Sequence, residues 1–158
     1  MNAVTKAKDN QFYRWVTFRL AEEIYGINVM QVQEVLRMTE VAPVPGAPHA
    51  VMGIINLRGN VVTVLDTRDL FGLPKQNISD QTRIMIVECN KVIVGLLVDS
   101  VAEVVNIQMS DIDSAPSIGN DENSRYIQGV YSHDGEILIL VDLGKLIVPE
   151  DLQATMGF

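Results

Sequence analysis

The stretch Gly26-Ile27-Asn28-Val29-Met30-Gln31-Val32-Gln33-Glu34-Val35 returns sixty-nine residues later as Gly95-Leu96-Leu97-Val98-Asp99-Ser100-Val101-Ala102-Glu103-Val104. Glycine, three valines and a glutamate keep their places in both copies. The match extends backward, since Val16, Phe18 and Ile24 stand at the same offset from Met85, Val87 and Ile93. A second set of blocks follows. Gly53-Ile54, Gly59, Asp66 and Leu70 correspond to Gly129-Val130, Gly135, Asp142 and Leu146, now seventy-six residues apart. The extra residues of the later copy fall in Ser110 to Asn123, a polar stretch with Pro116 and Gly119. Four blocks in one order predict two similar units of about 70 residues each.

The repeated unit is a β unit. In Val16-Thr17-Phe18-Arg19-Leu20 the apolar side chains alternate with Thr17 and Arg19, the period-two pattern of a half-buried strand. Similar runs recur at Val61 to Leu65, Arg83 to Val87, Val92 to Val98 and Ile137 to Val141. Arg58-Gly59-Asn60, Cys89-Asn90-Lys91 and His133-Asp134-Gly135 separate them, and Asp-Gly is a strong hairpin pair because both residues tolerate positive φ. Helix is scarce: a turn after Pro48, a short helix over Thr67 to Phe71 before Gly72, and a helix after Asp142 that Pro149 limits or restarts. The predicted fold is mainly β, two five-stranded open barrels with few short helices and a C-terminal helix. Residues 1–11 read as a polar tail, 12–80 and 81–148 as the two subdomains of one domain, and 149–158 as a tail or helix. The linker Lys75 to Gln81 is short, so the barrels share an interface and leave a cleft between them. A strand exchanged between the barrels is left open.

Composition narrows the function. The chain has 158 residues, 47% of them hydrophobic and 20% charged, a globular balance. Twelve Lys and Arg stand against twenty Asp and Glu, a net charge of −8 that disfavours nucleic acid and anionic membranes as partners. One cysteine, Cys89, makes no internal disulfide, and the start MNAVTKAKDNQF carries no apolar core of a secretory signal. The longest apolar run, Val92 to Val98, is far short of the roughly 20 residues of a membrane span. A cytosolic protein is expected.

Motifs for catalysis are missing. No Gly-x-Gly occurs, and Gly144-Lys145 lacks the rest of a phosphate-binding loop. His49 and His133 read as exposed loop histidines, and Cys89 as an inert thiol at a strand end. Asp111 and Asp113 lack the glycine and closing glutamate of a calcium loop, and Ser110-Asp111 reads as a helix start or turn. Asp66 and Asp142 each end an apolar strand, where an aspartate caps the following turn. No catalytic residue, metal or cofactor is assigned. Asn56-Leu57-Arg58-Gly59-Asn60 instead sets an arginine at a tight turn between apolar strands, either solvated or anchoring an interface. Glu34 is open to the same two readings.

At these residues the sequence resembles the CheW-like family of bacterial chemotaxis coupling proteins. Tyr25 to Val29, Val32 to Val35, Gly53-Ile54-Ile55-Asn56-Leu57-Arg58-Gly59, Val64-Leu65-Asp66, Val94 to Val101 and Ile137 to Asp142 carry the likeness, over about residues 12 to 148. The Asn-Leu-Arg-Gly block is its specific part. The resemblance implies a non-enzymatic scaffold of two SH3-like β subdomains, linking chemoreceptor cytoplasmic tips to the histidine kinase CheA, whose regulatory domain shares the fold. Carried over by motif, Val32, Glu34, Arg58, Val101 and Val104 would line a receptor-binding groove between the subdomains. The kinase would pack barrel against barrel, through strand edges not assigned residue by residue. The resemblance further implies a cytoplasmic protein, monomeric when free and recruited to receptor arrays at the inner membrane face without inserting into the membrane.

Other readings share part of the pattern. A coupling module of another receptor-kinase pathway has the same motifs. A CheW–receiver fusion of the CheV type needs a phosphoacceptor domain for which 158 residues leave no room. An enzyme or small-ligand barrel lacks, in the sequence, any convergent polar cluster.

Overall fold

Runs of β-branched residues broken by turns with positive φ can satisfy their backbone only by pairing across strands. The computed structural model describes residues 11–75, 77–114 and 126–147. Its strands are β1 (Phe12–Leu20), β2 (Glu23–Asn28), β3 (Val32–Arg37), β4 (Val51–Leu57), β5 (Asn60–Asp66), β6 (Arg83–Cys89), β7 (Val92–Val98), β8 (Ser100–Gln108), β9 (Ile127–His133) and β10 (Glu136–Val141). Short helices α1 (Thr67–Leu70) and α2 (Leu143–Leu146) follow β5 and β10, and 3-10 turns occupy Val29–Gln31 and Met109–Asp111. The Asp66 side chain accepts a hydrogen bond from the Arg68 amide, and Asp142 from the Gly144 amide, so both repeated aspartates cap their helices. Ser110 lies inside its 3-10 turn rather than capping it, and residues 149–158 lie outside those described.

The strands form two five-stranded sheets, in the orders β8-β1-β2-β10-β9 and β3-β6-β7-β5-β4. Exchanging every strand for its counterpart in the other repeat turns one order into the other. A division at residue 80 is therefore not a division between sheets. Hairpin β1–β2 of the earlier repeat lies in the sheet of β8, β9 and β10, and hairpin β6–β7 of the later repeat lies in the sheet of β3, β4 and β5. Nor do the sheets close into barrels by pairing: each ends in two edge strands, β8 and β9 in the first, β3 and β4 in the second.

Three apolar clusters hold this arrangement. The largest lies between the sheets and takes Phe18, Leu20 and Ile27 from one, Met85, Val87 and Leu96 from the other, all fully buried. Trp15, Ile107, Leu138 and Leu140 fill the curl of the first sheet, and Ile55, Val62, Val64, Ile84 and Ile86 that of the second. Central strands thus bury both faces. That is why Trp15 to Phe18 are all buried, although alternation alone predicts one wet face.

The chain crosses between sheets at two points, and one is latched. Asp99, between β7 and β8, donates its amide to the Arg19 carbonyl at 3.0 Å and accepts the Ala21 amide at 2.8 Å. Its carboxylate also takes two bonds from the Arg68 guanidinium, the one from Nε at 2.8 Å. Arg68 is buried on α1 and donates again to the Pro74 carbonyl. A single side-chain pair therefore ties the second sheet to the β1–β2 turn of the first.

Candidate functional site

Arg58 opens the two-residue turn between β4 and β5, with φ of 51° there and 89° at Gly59. Positive φ at both positions gives the turn the hand that suits twisted antiparallel strands. The Asn56 side chain accepts the Gly59 amide at 2.9 Å and braces it. Glu34 stands on edge strand β3, beyond a register shift between Val32 and Glu34. From this turn Arg58 reaches β3, where Nη1 and Nη2 each donate to one oxygen of Glu34, the Nη1 bond at 3.2 Å. The pair spans the two margins of the second sheet.

Its electrostatics follow from that contact. The hydrogen bond from Arg58 holds the Glu34 carboxyl below its ordinary value, desolvation opposes it, and the guanidinium charge adds to the lowering. Arg58 is raised in turn by the bond to Glu34 and then by its charge. Both groups face solvent, Arg58 with 69% of its side chain exposed, so the pair contributes orientation more than stability.

The other expected residues distribute unevenly. Val32 and Val101, counterparts in the repeat, both pack partly buried against the cluster between the sheets. Val104 stands exposed on edge strand β8, opposite Val16 in register. The structure thus joins Glu34 to Arg58, puts Val32 and Val101 on one core, and leaves Val104 on the β8 edge. The sequence reading passed over two exposed apolar residues in this part of the chain, Met30 on the 3-10 turn before β3 and Val35 on the face of β3 opposite to Glu34.

Elsewhere, His49 is exposed and pairs with Asp69 at 2.7 Å, and His133 with Asp134 at 3.2 Å. Cys89 is half-buried, and desolvation, then the Asp142 carboxylate, push its thiol up. No His, Cys, Asp and Glu group among the described residues could hold a metal. No helix among them is long and apolar enough to cross a membrane. One expectation needs correction: polar residues do converge. Thr17, Arg19, Glu103, Tyr131, His133 and Glu136 meet at the mouth of the first sheet, drawn from four strands whose pairing the sequence did not reveal.

The model of the CheW-like domain matches residues 14–150, nearly the whole chain. The chain belongs to the CheW-like family. The chemotaxis protein CheW of Treponema pallidum is 31% identical over 156 residues, 95% of this chain and 91% of that protein. Protein FrzA of Myxococcus xanthus is 29% identical over 132 residues, 82% of each. The crystal structure of the scaffolding protein TtCheW from Thermoanaerobacter tengcongensis matches with a TM-score of 0.79 at 34% identity, covering 86% of this chain and 92% of that one. The expected family and mainly β fold are therefore correct. As a CheW-like protein the chain is a non-enzymatic scaffold of chemotaxis signalling, the class of adaptor that couples receptors to the kinase CheA.

Proposed function

We propose that this CheW-like chain receives the cytoplasmic tip of a chemoreceptor in a groove between its two sheets, and packs a sheet edge against the regulatory domain of CheA. Val32, Glu34, Arg58, Val101 and Val104 form the receptor groove in this reading. The observation that carries it is the Glu34–Arg58 pair, an oriented fork of two hydrogen bonds on a sheet margin, with half-buried Val32 on the same strand. A receptor tip is a helical hairpin, and an apolar strip flanked by oriented charges suits an amphipathic helix. The outer edges of β3 and β8 offer main-chain groups to a kinase of the same fold, whereas those of β4 and β9 are partly covered by the Ala42–Ile54 and Asp113–Val130 bridges. A protein of charge −8 needs neither nucleic acid nor an anionic lipid surface for this. It works in the cytoplasm as a free monomer that receptor arrays recruit.

The test is co-elution with the kinase regulatory domain and, separately, with a receptor-tip fragment, wild type beside Arg58→Glu. Both partners should bind the wild type, and the variant should lose the receptor by at least about tenfold while keeping the kinase. Loss of both partners with a clearly lower melting temperature would make Arg58 structural. A coupling module of another receptor-kinase pathway is the second reading, favoured by the comparable identity to a relative of another name. Kinase binding without binding to any chemoreceptor tip would select it.

A further inference from the structure

The curl of the first sheet is only partly filled. Along its inward faces the side chains run from apolar to polar: Trp15, Thr17, Arg19 on β1; Leu140, Leu138, Glu136 on β10; Ile107, Val105, Glu103 on β8. Above Trp15 and Leu140 they leave a pocket of about 360 Å³. Its apolar floor is Ile24, Val105 and Leu138, and one wall is Tyr131, its ring stacked on His133 with centroids 5.8 Å apart.

The counterpart positions of the second sheet are closed. Ile86 stands where Thr17 does, Ile55 for Tyr131 and Val62 for Leu138, all buried in one cluster. The rims differ as well. Glu34 is paired with Arg58, but their counterparts are Glu103 and Asp134, both acidic. Asp134 meets His133, and Arg19 lies 3.9 Å from Glu136. The Glu103 carboxylate has no partner among the described residues; only its backbone is engaged, by the Thr17 hydroxyl.

We infer that this pocket binds a small organic ammonium compound, its apolar body on Ile24, Val105 and Leu138 and its charge at Glu103. The volume is at the lower end of small-molecule sites, and the apolar floor with few polar groups at the mouth is their usual make-up. The Tyr131 face adds a second attraction for a cation. A free small molecule fits better than a docked protein, because the centres of protein interfaces are depleted of charge and this mouth is ringed by it.

Amide chemical shifts followed by two-dimensional NMR during titration with phenethylamine test the inference, with 3-phenylpropionate as the probe of reversed charge. Phenethylamine should give saturable shifts at Thr17, Ile24, Glu103, Val105, Tyr131 and Leu138, with 3-phenylpropionate at least about tenfold weaker. Glu103→Gln should weaken phenethylamine at least about fivefold. Thr17→Ile, which copies the filled half, should abolish binding. Because the Thr17 hydroxyl also holds β8, Val105→Phe fills the same space from another strand and repeats the test. No saturable shift up to about 10 mM overturns the inference, that being the weak end for so small a ligand. So does an equal response to the two probes, or binding that survives Glu103→Gln and both filling variants.

Discussion

In the second sheet Ile86, Ile55 and Leu57 occupy the positions that Thr17, Tyr131 and His133 hold in the first, and Arg58 the one that Asp134 holds. One half is therefore packed through and carries a paired arginine on its rim. The other half keeps an open mouth and an unpaired glutamate. Backbone-setting residues do not differ in this way: Gly53 and Gly129 make the same close approach, and Asp66 and Asp142 cap equivalent helices. What the duplication holds constant is the course of the chain. What distinguishes the halves is the side chains pointing into each curl and out from each rim, where partners and ligands meet them.

The sharpest test of a shared backbone is at the two glycines. A Cβ on Gly53 would lie 2.1 Å from the Ala42 carbonyl oxygen, where Ala42 and Ile54 exchange two hydrogen bonds. On Gly129 it would meet a methyl of Ile112 at 2.6 Å and the Asp113 oxygen at 2.9 Å. Asp113 is paired as Ala42 is, through two bonds with Val130, but the Gly53 approach is the tighter one and its φ of 154° adds strain for any side chain. Gly53→Ala should cost about 4 kcal/mol, and Gly129→Ala about half of that, read from thermal unfolding as shifts of roughly 8–16 °C and 4–8 °C. Equal losses would mean that the two approaches are equally rigid.

Next in size is the latch, which only one half has. At the counterparts of Asp99 and Arg68 stand Met30 and Gly144. Asp99→Ala takes the Asp99 carboxylate away from the buried Arg68 guanidinium, keeps its bond to the Pro74 carbonyl, and frees the Ala21 amide. A loss of about 3 kcal/mol is expected, the lower end of the range for a buried pair, because Asp99 retains a quarter of its side-chain exposure. Met30→Ala, at an 87% exposed site, should change stability by less than about 0.5 kcal/mol. Denaturant titration of both variants measures the difference, and comparable losses would remove the asymmetry.

How much of this was legible before the structure follows the same division. The repeat exposed the ten-strand plan, because glycine and valine spacing records backbone geometry directly. It could not assign hairpins to sheets: a strand's own pattern says which faces are buried but not which edge it pairs with, so β1–β2 and β6–β7 read as belonging to their own repeats. Strands β3, β8 and β9 did not stand out as apolar runs, since edge strands mix exposed and half-buried positions such as Gln33, Glu103 and Gln128. At the candidate site Arg58 and Glu34 were visible as charges at a turn and in an apolar run, although their mutual contact across twenty-four residues was not. Asp99 and Thr17 had a usable signal. Each breaks the repeat by putting a polar group where the other copy has Met30 or Ile86, and such a break marks a local task.

The smallest effect concerns the rim. Arg58→Asp gives the second sheet the acidic rim of the first, setting a carboxylate against Glu34. Near neutral pH the melting temperature should fall by only a degree or two, since the pair is solvent-exposed. The sign of its pH dependence is fixed by Glu34, whose folded-state carboxyl lies below its ordinary value of 4.5. Such a group adds stability above the unfolded-state value, and that contribution disappears as acid protonates it in the folded protein. In the variant, the same protonation relieves a repulsion. Both changes run in one direction, so the gap between wild type and variant should narrow from about pH 5 to pH 3, and should shrink at neutral pH in about 1 M salt. A gap indifferent to both acid and salt would show that Arg58 acts through the packing of its stem. The exposed fork would then be part of the fold of one half rather than a charge held ready for a partner.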